Sequence, residues 1–139
     1  MTHFLGTHQG KLDKKGRLSV PASFRSALTR LGTEEVVLRP SRRLRCIEAL
    51  PQPAFEAQAR ALDSLDPFSK EREDLASRLY SQAAQLRPDA EGRVVVPDNL
   101  TGFARMTDSV VFVGLGEVFQ IWSPEGWAER AASLQEPVA

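Results

Sequence analysis

The sequence predicts an α+β fold made of two tandem copies of one strand–turn–strand unit, with flanking and linking helices. Three observations carry that prediction. KLDKKGRLSVP at 11–21 returns as RPDAEGRVVVP at 87–97, aligning Asp13 with Asp89, Gly16 with Gly92, Arg17 with Arg93 and Pro21 with Pro97. The correspondence continues with small slips: VVLRP at 36–40 answers VVFVG at 110–114, and CIEALPQPAF at 46–55 answers VFQIWSPEGW at 118–127. Between the copies, apolar residues shift to the three-and-four spacing of helices.

Each copy opens on a strand that runs into the turn. In LDKKGRL the aspartate accepts hydrogen bonds from backbone N–H groups just ahead of it. The glycine three residues later supplies the left-handed conformation of a type I turn with a bulge. LSV and VVV after the arginines read as strands, with Leu18 and Val20 on one face and Ser19 on the other. Pro21 and Pro97 stop strand pairing and suit the first turn of a short helix. PASFRSALTRLG then closes on Gly32 as a C-cap. Each motif therefore reads as a hairpin with a charged tip and a forced change of direction at its exit.

A second pair of strands follows in each copy, joined in the first copy by the turn PSRRLRC, whose Arg42, Arg43 and Arg45 read as solvated. In PAFEAQARALDSL, Phe55, Ala59 and Leu62 share one helical face; in PFSKEREDLASRLYSQA, Leu75, Leu79 and Ala83 do the same, with Pro67 at the helix start. The organisation is a first repeat at 1–55, linking helices at 56–82, and a second repeat with a C-terminal helix at 83–139.

Composition narrows the function. The 42% hydrophobic and 26% charged content is that of an ordinary globular protein. No apolar run approaches the ~20 residues of a membrane span, and MTHFLGTHQG has no features of a secretion signal. The one cysteine, Cys46, excludes an internal disulfide, suits a reducing cytoplasm and reads as small strand filler. His3 and His8 do not form a spaced metal set with Cys46. VGLGE at 113–117 lacks the third glycine of a dinucleotide loop, and no serine has a motif partner. Trp122 and Trp127 read as core. No enzyme activity and no cofactor is implied.

Charge points elsewhere. Net charge is zero, yet residues 1–50 hold ten Lys/Arg against four acidic groups, and the remainder eight against fourteen. Such asymmetry suits a polyanion on one face. An Asp–Arg pair across a turn explains Arg93, beside Asp89 and Glu91. It does not explain Lys14 and Lys15 at the other tip. A guanidinium on a rigid tip suits phosphate or a guanine edge. The expected DNA contacts are Lys11, Lys14, Lys15, Arg17 and Arg93, with Asp13, Gly16, Asp89 and Gly92 shaping the turns; the first hairpin reads as the main contact.

LDKKGRLSVPASFR and RPDAEGRVVVPDNL resemble the paired D-x-x-x-R motifs of the MraZ family. FLGTHQGKLDKKGRLSVP, IWSPEGWAE and the overall length fit as well. The resemblance implies two AbrB-like (SpoVT-AbrB) swapped-hairpin β-barrel repeats in one pseudo-symmetric unit, assembled as a ring homo-oligomer. It further implies a nucleoid-associated transcriptional regulator of the division and cell-wall gene cluster, its own promoter included. Tips repeated by rotation around a ring would match direct repeats in double-stranded DNA. The alternative reading is a non-DNA interaction module: an oligomeric scaffold, or an antitoxin-like partner binder using SLQEPVA at the C-terminus.

Overall fold

In the computed structural model, which describes residues 3–135, the first strand does not pair with the strand beyond its turn. β1 (Thr7–Lys11) lies antiparallel to β7 (Ser109–Gly114), with Thr7 opposite Val113 and Lys11 opposite Ser109. β2 (Arg17–Ser19) pairs instead with β6 (Arg93–Val95), Leu18 facing Val94. Only a Leu12–Leu18 bridge joins the two sides of the first turn. The expected hairpin tip is thus a tight turn between strands that diverge to different sheets. The reason is burial. A three-residue hairpin arm could not cover Leu18 alone, and isolated hairpins are marginal. Pairing across the copies seals Leu18, Val20, Val94 and Val96 into one core.

The larger sheet shows the same exchange. Its order is β1-β7-β8-β4-β3-β5, where β3 is Val36–Pro40, β4 Ile47–Pro51, β5 Ala84–Leu86 and β8 Phe119–Trp122. β1 of the first copy edges the second copy's β7, and β5 of the second copy edges the first copy's β3. A pseudo-two-fold axis between β4 and β8 relates the halves.

Alternation along the strands divides the sheet into two faces. One carries Val36, Leu38, Ile47, Ala49, Val110, Phe112, Phe119 and Ile121 into the main core, under the β2–β6 ribbon. Helices α1 (Ala22–Arg30) and α4 (Asp98–Phe103) complete that core through Phe24, Ala27, Leu28 and Leu100. Phe24 sits among the aromatic rings, 5.2 Å from Phe4 and 4.8 Å from Phe119. The other face holds Cys46, Val111, Val113 and Trp122 against α5 (Pro124–Ser133) through Trp127, 5.8 Å from Trp122. Trp122 is buried as expected, and Trp127 is half-buried against it.

Helix ends show the chemistry of their caps. After α1, Gly32 takes φ +75° and Thr33 N–H donates to Leu28 O, a Schellman stop. After α4 the same place is filled by Arg105 at φ +56°, with Met106 N–H donating to Thr101 O. The linking segment departs from its expected bounds. α2 (Gln52–Ala59) tightens into a 3₁₀ turn at Arg60–Ser64, where Leu62 is buried. α3 (Lys70–Tyr80) starts three residues past Pro67, because the Ser69 hydroxyl caps it by accepting from Arg72 N–H at 3.1 Å. Ala83 falls beyond its end. Among the described residues no helix is long and apolar enough to cross a membrane. The tail SLQEPVA lies outside the described residues beyond Gln135.

Candidate nucleic-acid interface

Both turns are built on an aspartate. Asp13 Oδ1 accepts from the backbone N–H groups of Lys15 (2.9 Å) and Arg17 (2.8 Å), and Oδ2 accepts from Arg17 Nε (2.6 Å). Asp13 and Arg17 also pair through their backbones, Asp13 N–H to Arg17 O at 3.1 Å. Gly16, at φ +82°, closes the loop with its N–H on Asp13 O. Any side chain there would also meet Val96 O at 3.0 Å. The Arg17 backbone N–H, above all, holds the Asp13 carboxyl below the usual 3.8, with the Arg17 guanidinium and the Lys15 N–H adding to it.

The second turn repeats this plan. Asp89 Oδ1 accepts from Glu91 N–H (2.8 Å) and Arg93 N–H (3.0 Å), and Oδ2 from Arg93 Nε at 3.3 Å. The Asp89 carboxyl is likewise held low, chiefly by the Arg93 backbone N–H. The difference lies in the far end of the arginine. A terminal nitrogen of Arg93 forms an ion pair with Glu91 at 3.2 Å, whereas among the described residues the two terminal nitrogens of Arg17 pair with nothing.

The ribbon places the turns at its opposite ends. Val96 N–H donates to Gly16 O and Val20 N–H to Gly92 O, so each turn is clasped by the strand end of the other copy. Four residue steps from Gly16 to Val20 separate them by about 13 Å. Leu18 and Val94 point inward, while Ser19 and Val95 are exposed on the outer surface. Lys11, Lys14, Lys15 and Arg17 therefore gather within one turn and its approach, with the three lysines exposed. Arg93 stands apart with its acidic partners. The first turn offers net positive charge on a fixed frame; the second offers the same frame with its charge cancelled.

One participant was not singled out from the sequence. Arg25 of α1 donates from Nε to Val20 O at 3.1 Å and lies over Gly92, where an added Cβ would meet its guanidinium at 2.5 Å. It braces the second turn from the first copy. Its only signal in the sequence is an arginine where the second copy has Thr101.

The fold and these turns define a class: a tandem-repeat protein with strands exchanged between copies and two aspartate-braced arginine turns on one surface, one basic and one neutralised. Comparison with known proteins gives the particular case. Residues 3–78 and 79–138 each match the model of the family described as "MraZ protein, putative antitoxin-like". The chain is 52% identical over 133 residues to "Transcriptional regulator MraZ" of Gluconobacter oxydans, covering 94% of this chain and 81% of the relative. It is 50% identical over 138 residues to the protein of that name from Gluconacetobacter diazotrophicus, covering 97% and 87%. The Parvibaculum lavamentivorans protein of that name is 46% identical over 140 residues, covering 99% and 86%. The chain belongs to the MraZ family.

Proposed function

We propose that this protein is a transcriptional regulator that binds double-stranded DNA through the turn spanning Lys11–Arg17. The observation that carries the reading is the unengaged end of Arg17, held by Asp13 with Lys14 and Lys15 beside it. A guanidinium whose Nε is already committed keeps its terminal fork oriented, which suits bidentate contact with a guanine edge or a phosphate. The lysines neutralise neighbouring phosphates and release their counterions. Relatives named as transcriptional regulators support the same reading. Its site is a cytoplasmic, nucleoid-associated one, its role is non-enzymatic, and the division and cell-wall gene cluster follows from the family resemblance. In this reading residues 1–55 and 83–139 are the AbrB-like, swapped-hairpin repeats and 56–82 joins them.

One such turn has too few contacts for tight specific binding, since each good contact supplies on the order of ~1–3 kcal/mol before costs. A ring of identical chains raises the effective concentration of each further tip once the first has bound. Adjacent tips related by rotation match direct repeats about one helical turn apart, ~10 bp. The test is a gel-shift titration on duplexes with one, two and three in-phase repeats. Affinity is expected to climb with each repeat and to fall back to the single-repeat value when about half a helical turn is inserted between them. Unchanged affinity after that insertion would exclude the multivalent mechanism.

A further inference from the structure

The sheet face turned away from the DNA-binding ribbon carries a row of polar side chains at its centre. Strand register aligns Arg39 of β3 with Glu48 of β4, and Glu48 with Gln120 of β8. These residues floor a cleft of about 690 Å³ walled by Gln58 of α2 and Arg130 of α5, with Arg42 and Arg43 at its mouth. At the position related by the internal repeat, the second copy has Val113 where the first has Arg39. Apolar packing fills that place against α5. Of the floor residues, Arg39 alone has an apolar counterpart in the other copy.

Arg39 is 7% exposed. Its Nε donates to Glu48 Oε1 at 3.0 Å and one terminal nitrogen donates to Gln58 Oε1 at 2.5 Å. Those contacts clamp α2 to the sheet and account for two of its three nitrogens. The third, also buried, has no partner. Buried donors are nearly always satisfied, so an orphaned guanidinium nitrogen lining a cleft is free to donate to an oxygen brought into it. Arg42, Arg43 and Arg130 make no ion pair among the described residues, and the one carboxylate in the lining, Glu48, is already engaged by Arg39. Four guanidinium groups thus face a single neutralised acid.

We propose that this cleft binds a small, multiply charged phosphate anion, seated on Arg39, Arg42, Arg43 and Arg130. Planar guanidinium forks suit tetrahedral oxyanions, and several of them converging favour more than one phosphate group. The floor lies on the opposite side of the sheet from Arg17, so DNA held by the turn does not reach it. The site is independent of the DNA reading, and each can fail without the other.

The experiment is calorimetric titration of the full chain with inorganic tripolyphosphate at near-physiological salt, alongside orthophosphate. Saturable binding of tripolyphosphate, tighter than orthophosphate, is expected. Arg42→Gln and Arg130→Gln should each weaken it about tenfold or more, because each removes a charge-assisted contact. Arg39 is left intact, since its loss would strip Glu48 and Gln58 of their partner. Lys14→Gln, on the other face, should leave tripolyphosphate binding in place. Absence of saturation, undiminished binding in both arginine variants, or loss in Lys14→Gln would overturn the proposal. A duplex that displaces tripolyphosphate in competition would identify the occupant as backbone phosphate and overturn it too.

Discussion

Arg17→Ala and Arg93→Ala remove the same side chain from two turns of the same plan, and they are expected to behave differently. Arg17 loses a fork that nothing in the protein occupies, so each tip forfeits a bidentate contact of about 1–3 kcal/mol, a factor of ~5–150 in affinity. Arg93 loses a fork with one terminal nitrogen already paired with Glu91 at 3.2 Å. Its removal should change affinity by about twofold or less, the scale of an exposed ion pair. Both variants should stay folded, because each aspartate keeps its two backbone donors, Lys15 and Arg17 in one turn, Glu91 and Arg93 in the other. Fluorescence anisotropy on a duplex carrying in-phase repeats measures the effect, with circular dichroism as the folding control. Equal losses for the two arginines would refute the argument that Glu91 silences the second turn.

Other outcomes follow from single groups. Arg105→Gly should raise stability by up to about 1 kcal/mol in urea unfolding, since glycine accepts the φ of +56° that arginine resists. The depressed carboxyls of Asp13 and Asp89 stabilise the turns above the unfolded carboxylate value and lose that contribution as pH falls through their own lower values. The amides of Lys15, Arg17, Glu91 and Arg93 should therefore titrate by NMR with midpoints below 3.8, and a midpoint at or above it would contradict the hydrogen bonding described. Burial, with the Glu48 charge, pushes the Cys46 thiol up to about 12, so a thiol reagent at pH 8 should label it only on unfolding.

The turns were legible because their chemistry is local. An aspartate, a glycine three residues on and an arginine after it specify the loop without reference to anything distant, and the charge contrast between Lys14–Lys15 and Ala90–Glu91 is written in adjacent residues. The pairing partners were not legible. Alternation in LSV and VVV says which side chains are buried, but the same alternation suits a local hairpin or a ribbon with the other copy. Only the shortage of apolar area in a three-residue arm decides between them. The start of α3 turned on Ser69 outcompeting Pro67, two reasonable signals two residues apart. Arg39, Glu48 and Gln120 could not be read as a row, because they come from three strands and only register brings them into line.

Strand exchange also accounts for what the second copy has kept and what it has lost. Gly92 O receives Val20 N–H, and Asp89 and Arg93 fix the backbone that presents that carbonyl. Were this turn to relax, β6 would lose register with β2, and Leu18 and Val94 would lose their cover together. The Asp–Gly–Arg frame of the second turn is therefore required by the first copy's core, whether or not the turn touches DNA. No such requirement falls on positions 90 and 91, which are exposed. A frame under structural constraint with a tip free of it can hold alanine and glutamate in the place of two lysines without loss of fold. The charge asymmetry between the copies thus arises where the exchanged architecture leaves the chain unconstrained, and the fold alone gives no reason for the residues of the basic tip.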